Sequence, residues 1–163
     1  MITCSFEDGK KTNLRHAVVD CIVLRNNEIL LARRASELLE GGKWSLPGGF
    51  VRRDETLLQA VEREVLEETG FKIKDLTLLR IIDNPNRPQE DRQNIAFVYF
   101  CHADTKVGEV DWESEEQKWF KLDSIPLKGE IAFDHHEDVE LYLKYLKEQF
   151  SVKVRSKLKP HKD

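Results

Sequence analysis

Apolar positions recur along the chain in two rhythms. Residues 16–24 are β-branched and almost continuously apolar, interrupted by Asp20; the turn pair Asn26-Asn27 follows, and residues 29–32 are apolar again, predicting a hairpin of two partly buried strands. Over residues 57–69 the rhythm changes. Leu57, Leu58, Val61 and Val65 fall at helical spacing and Gly70 stands ready as a C-terminal cap, which predicts a helix. Residues 71–83 alternate as one or two strands, 84–92 form a polar loop with Pro85 and Pro88, and 95–101 and 116–122 are two further strands. Asp134 and Glu137 have capping-box spacing before Val139, Leu141, Tyr142, Leu143, Tyr145 and Leu146, so a second helix is expected to end near Phe150. A short strand at 2–6, the turn Glu7-Asp8-Gly9-Lys10 and a loop at 37–43 complete the reading. The order β-β-α-β-β-β-α is not strict βαβ alternation; it predicts an α/β (α+β) fold, a mixed sheet with helices packed against it.

At 163 residues the chain fits a single domain, residues 1–150, followed by a basic tail at 151–163 carrying Lys153, Arg155, Lys157, Lys159 and Lys162. That tail reads either as solvated or as a contact for a partner or an anionic ligand. A formal charge of -4 argues against nucleic acid as a partner of the whole surface. Cys21 and Cys101 lie in apolar strands and Cys4 near the start, with no CxxC spacing, which predicts buried free thiols in a reducing compartment. No apolar run is long enough to span a bilayer and no leader is visible, so a cytoplasmic protein with no membrane partner is expected.

The first helix carries the informative chemistry. At about 100° per residue with Glu64 at zero, Glu67 falls near 300° and Glu68 near 40°, inside the arc of Leu57, Val61 and Val65. Glu64 and Glu68 are like charges one turn apart, and Glu67 and Glu68 occupy the last turn, where the helix dipole disfavours anions. Two readings fit: a Glu-rich surface helix with Arg63 offsetting Glu67, or a set of hard oxygen ligands for a divalent cation. Pro47-Gly48-Gly49 just upstream allows close backbone approach and favours the second. Arg33, Arg34, Arg52 and Arg53 nearby are either surface charges or phosphate ligands.

Gly49, five residues, Glu55, seven residues, and then Arg63-Glu64-Val65-Leu66-Glu67-Glu68-Thr69-Gly70-Phe71 match the Nudix box, GX5EX7REUXEEXGU with U apolar, at every fixed position. With Trp44-Ser45-Leu46-Pro47-Gly48 and Lys118-Trp119-Phe120-Lys121-Leu122-Asp123, the chain resembles Nudix hydrolases over most of residues 15–150. The resemblance implies an α/β/α sandwich and hydrolysis of a nucleoside diphosphate linked to another group. It further implies Mg²⁺, with Mn²⁺ as a substitute, held by Glu64, Glu67, Glu68 and the Gly49 carbonyl, while Arg63 and Glu55 hold those carboxylates in place. The family's general base is either a box glutamate or an acid from a later loop, for which Glu113, Glu115 and Glu116 are candidates, Glu116 foremost; a solvated charge run is the alternative. Arg52 stands where the family often has Glu, so it either aids phosphate binding or alters the metal shell.

Asp83-Asn84-Pro85-Asn86-Arg87-Pro88, Asp91-Arg92-Gln93-Asn94-Ile95-Ala96-Phe97 and Ile131-Ala132-Phe133-Asp134-His135 resemble the ADP-ribose branch of the family. The prolines alone are equally explained by a rigid turn. Arg34, Arg52, Arg53, Arg87 and Arg92 are expected to contact substrate. Trp44, Phe50 and Phe133 stack on a base or belong to the core. His135 and His136 are expected to be surface residues at a helix start. The expected activity is conversion of ADP-ribose to AMP and ribose 5-phosphate; the alternatives are hydrolysis of oxidised nucleoside triphosphates and a non-catalytic nucleotide-sensing module. A homodimer is common in the resembled branch.

Overall fold

The computed structural model describes residues 2–87, 93–108 and 114–157. A separate hairpin of β1 (Ile2–Ser5) and β2 (Lys11–Leu14) precedes the main sheet. That sheet contains β3 (Ala17–Arg25), β4 (Glu28–Arg34), β5 (Trp44–Ser45), β6 (Gly48–Phe50), β7 (Phe71–Ile82), β8 (Ile95–Lys106) and β9 (Ser114–Lys121). Its spine runs β5-β4-β3-β8-β7, with β6 paired to β3 and β9 to β4. The sheet is mixed because β3 and β8 run parallel, from Ala17 opposite Ile95 to Leu24 opposite His102, while β3 meets β4 and β6 antiparallel.

Alternation along β3 makes the two layers. Val19, Cys21 and Val23 enter the cluster covered by helix α1 (Leu57–Thr69) through Ala60, Val61 and Val65. Ile22 and Leu24 enter the opposite cluster, covered by helix α2 (His135–Lys157) through Val139 and Tyr142. The result is an α/β/α sandwich whose central strands are buried on both faces and therefore read as continuous apolar runs.

Helix α1 occupies the expected residues. Thr56 caps its start, accepting from the Gln59 N–H while the Gln59 side chain accepts from the Thr56 N–H. Gly70 ends it at φ 73, and a Cβ there would lie 2.2 Å from the Gly108 carbonyl oxygen. Gly70→Ala therefore has to adopt left-handed backbone and push that carbonyl away. The expected cost is about 1–3 kcal/mol, read as a drop in Tm of roughly 3–10 °C.

Several expectations change in detail. Residues 71–82 form one strand, bent by register shifts along its pairing with β8, and β8 itself continues to Lys106. Helix α2 runs past Phe150 to Lys157. The carboxylate of Asp134 accepts from the Arg87 guanidinium instead of serving the predicted capping box. Cys21 and Cys101 are buried free thiols with Sγ atoms 3.4 Å apart, and burial pushes the Cys21 thiol well above its ordinary pKa. Among the described residues no helix is long and apolar enough to cross a membrane.

Candidate active site

The carboxylates of α1 meet the β5–β6 segment where β6 lies against β3. Arg63 organises them. Its Nε and Nη2 donate to the two Glu55 oxygens (2.9 and 2.6 Å), Nη1 donates to Glu64 (2.6 Å) and Glu67 (3.0 Å), and Nη2 also reaches the Phe50 carbonyl (3.0 Å). These bonds and the Arg52 N–H at 2.7 Å hold the Glu55 carboxyl down at about 2, the hydrogen bonds from Arg63 contributing most. Burial acts oppositely on Glu64, pushing its carboxyl above the usual range against the pull of Arg63.

Glu68 is buried, its Oε2 accepting from the Gly48 N–H at 3.4 Å while its main-chain carbonyl accepts from Gln117 Nε2 at 2.6 Å. Gly49 presses its backbone onto Glu64: a Cβ there would stand 2.6 Å from Glu64 Oε1. Gly49→Ala is therefore expected to displace that carboxylate and lower kcat/KM by about 10²-fold with little change in Tm.

A cleft of about 450 Å³ opens beside these groups. Glu64, Glu67, Gly48, Gly49, Phe50 and Arg52 line it together with Arg34, Arg87, Asn94, Phe133, His135, Leu38 and Leu39. Of the arginines expected to contact substrate, Arg34, Arg52 and Arg87 are at the cleft, with Arg34 5.0 Å over the Phe133 ring and Arg87 buried on Asp134. Arg53 instead extends beside Asp54, its side chain 94% exposed. Trp44 joins the α2-side cluster, edge-on to Phe120, and is not among the cleft residues. Arg92 and Glu113 lie outside the described residues.

Glu116 is not brought to the glutamates of α1. Strand alternation turns Gln117 and Trp119 toward α1 and sends Glu116 to the other face, 3.6 Å from Arg33. Glu115 accepts from the Ser36 N–H at 2.9 Å.

His135, expected on the surface, is buried. Its Nδ1 accepts from the Leu46 N–H at 3.1 Å and its Nε2 lies 3.5 Å from Asp20, so it ties the start of α2 to the turn that delivers Gly48 and Gly49. Asp20, which interrupts an apolar strand, is the visible signal for this pair, and Asn94 lies in a segment that resembles the ADP-ribose branch; Leu38 and Leu39 carry no signal.

Among the described residues no three acidic, His or Cys side chains converge closely enough to form a ready metal cage, because Arg63 and Arg52 engage Glu64 and Glu67. The donor set nevertheless suits a hard cation: the carboxylates of Glu55, Glu64 and Glu67 share the guanidiniums of Arg63 and Arg52, Glu68 adds a fourth carboxylate on the Gly48 N–H, and the cluster is short of positive charge by that of one divalent ion.

Comparison with known proteins agrees with this architecture. The NUDIX domain family model matches residues 14–142. An ADP-ribose pyrophosphatase of Methanocaldococcus jannaschii is 34% identical over 129 residues, covering 78% of this chain and 72% of that protein. An NAD-capped RNA hydrolase NudC of Mannheimia succiniciproducens is 35% identical over 120 residues, covering 68% of this chain but 42% of the relative. The crystal structure of a MutT NUDIX hydrolase from Burkholderia pseudomallei superposes with a TM-score of 0.67 at 28% identity, covering 79% of this chain and 98% of that one. With the family model spanning most of the chain and the box residues gathered at one cleft, the protein belongs to the Nudix hydrolases, a family that generally uses divalent metal ions.

Proposed function

We propose that the protein is a Mg²⁺-dependent pyrophosphatase that hydrolyses ADP-ribose to AMP and ribose 5-phosphate. The observation that carries this reading is the cleft itself, whose lining combines Glu64 and Glu67 with Arg34 and Phe133, the Arg34 guanidinium lying over the Phe133 ring. A pyrophosphate placed against the glutamates leaves a ring-bearing group to reach Phe133, Leu38 and Leu39. The archaeal relative named for ADP-ribose supports the choice of substrate.

Glu64, Glu67, Glu68 and the Gly49 carbonyl would hold the metal. Magnesium held there would neutralise pyrophosphate charge and make the attacking water more acidic. The protein's own part is positional. Arg63 fixes Glu64 and Glu67 relative to each other and to β6, and Glu55 fixes Arg63. Glu64 and Glu67 border the cleft, where a carboxylate can orient the attacking water and accept its proton, while Glu68 braces the Gly48 turn behind them. Water adds to one phosphorus, the bridging P–O bond breaks, and the leaving phosphate takes up the proton.

The test is product analysis with ADP-ribose, NADH, nucleotide sugars and oxidised nucleoside triphosphates, with and without Mg²⁺. Mg²⁺-dependent release of AMP from ADP-ribose, at the highest kcat/KM of the panel, is the expected result. Preference for triphosphates would overturn the substrate assignment, and binding without turnover in saturating Mg²⁺ would overturn the catalytic one.

A further inference from the structure

Arg52 and Arg63 both hold Glu67, but on very different terms. Arg63 is 16% exposed and tied by five hydrogen bonds to Glu55, Glu64, Glu67 and the Phe50 carbonyl, so it is part of the frame. The Arg52 side chain is 62% exposed, and its Nη2 alone spans the two Glu67 oxygens at 3.3 and 3.2 Å. Such an exposed pair is weak and easily exchanged. The Arg52 main chain, by contrast, is pinned, its N–H donating to Glu55 at 2.7 Å. A fixed pivot thus carries a loosely held cation that borders the cleft.

The geometry points to Arg52 as a resident counter-ion of Glu67 that is exchanged for the divalent ion and then passes its guanidinium to the pyrophosphate of the ligand. This inference rests on the reading above that Glu67 is a metal ligand. A guanidinium and a divalent cation cannot both take the same carboxylate oxygens, so the protein without ligand holds the ion less tightly than its carboxylates alone would. Once released, Arg52 stands at the cleft with an unmatched fork of N–H donors, which suits paired phosphate oxygens. The ion frees the arginine for the pyrophosphate, and the pyrophosphate keeps the arginine off the carboxylate. Coupling of this kind is reciprocal: each ligand raises the affinity for the other by the same factor.

Direct binding of Mn²⁺ to the full chain tests this without turnover, by calorimetry and by the electron paramagnetic resonance signal of free Mn²⁺. Wild type, Arg52→Gln and Glu67→Gln are compared with and without α,β-methylene-ADP, after correction for Mn²⁺ bound to the nucleotide alone. Arg52→Gln is expected to bind Mn²⁺ about two- to fivefold more tightly than wild type in the absence of nucleotide, since a competing surface charge is gone. The nucleotide analogue should tighten Mn²⁺ binding about fivefold or more in wild type and by a clearly smaller factor in Arg52→Gln, where only the direct attraction between ion and pyrophosphate remains. Unchanged Mn²⁺ affinity and unchanged coupling in Arg52→Gln would overturn the counter-ion role while leaving the metal site standing. Wild-type Mn²⁺ binding by Glu67→Gln would overturn the metal assignment of Glu67 and the inference with it.

Discussion

Glu67→Gln is expected to lower kcat by about two to four orders of magnitude while Tm moves by no more than a few degrees. The separation follows from where the side chain sits. Glu67 is 40% exposed and borders the cleft, and its pairs with Arg52 and Arg63 lie partly in solvent, so the fold draws little from it. On the proposed mechanism its full charge is needed when a cation and a pyrophosphate share the site. Glutamine keeps the shape and one acceptor oxygen but removes that charge. A folded variant that turns over ADP-ribose at the wild-type rate would sink the catalytic assignment. Glu68→Gln makes a useful contrast, because Glu68 is buried against the Gly48 turn and its change should move stability as well as rate.

Arg63→Ala should show the opposite balance, a large loss of stability accompanied by loss of activity. Removing this guanidinium leaves the Glu55, Glu64 and Glu67 carboxylates facing one another and the Phe50 carbonyl without its donor. Breaking a fully buried ion pair costs roughly 3–5 kcal/mol; for a cluster that retains some solvent contact about 2–3 kcal/mol is expected, or a fall in Tm of about 4–12 °C. The loss should depend on pH in a defined direction. Glu55 titrates near 2 in the folded protein, below its unfolded value, so its contribution is complete above about pH 5 and disappears as pH falls through 2. The stability gap between wild type and Arg63→Ala is therefore widest near neutrality and narrows in acid. Denaturant melts at a series of pH values measure it; a gap that widened below pH 4 would contradict the role given to this pair.

Much of this site could be read before any fold was known. Helix α1 was legible end to end because its apolar positions keep helical spacing and Gly70 supplies the left-handed stop. Glu68 stood out because helical geometry placed an acid among apolar neighbours, and the structure buries it. Other parts were hidden for physical reasons. Strands β5 and β6 are two and three residues long, too short for a rhythm, and are extended because β4 and β3 offer partners. Helix α2 was expected to stop at Phe150, where the apolar pattern fades, yet the backbone continues to Lys157. His135 was misread because two histidines beside an aspartate look like a solvated helix start. Its burial depends on Asp20 and Leu46, both far away in sequence. Glu116 shows the limit of proximity arguments: a single step along β9 decides which face it serves.

The residues that line the cleft come from separate elements of the fold. The glutamates belong to α1, whereas Phe133 and His135 belong to the entrance of α2 and Leu38 and Leu39 to the loop after β4. On the proposed reading, reaction chemistry and ligand choice thus rest on different elements, which meet where β6 and the β5–β6 turn lie against β3. Substitutions at Leu38, Leu39 or Phe133 should then change which nucleotide derivative is accepted while leaving the Arg63 frame in place, whereas a change in the frame should weaken hydrolysis of every derivative alike.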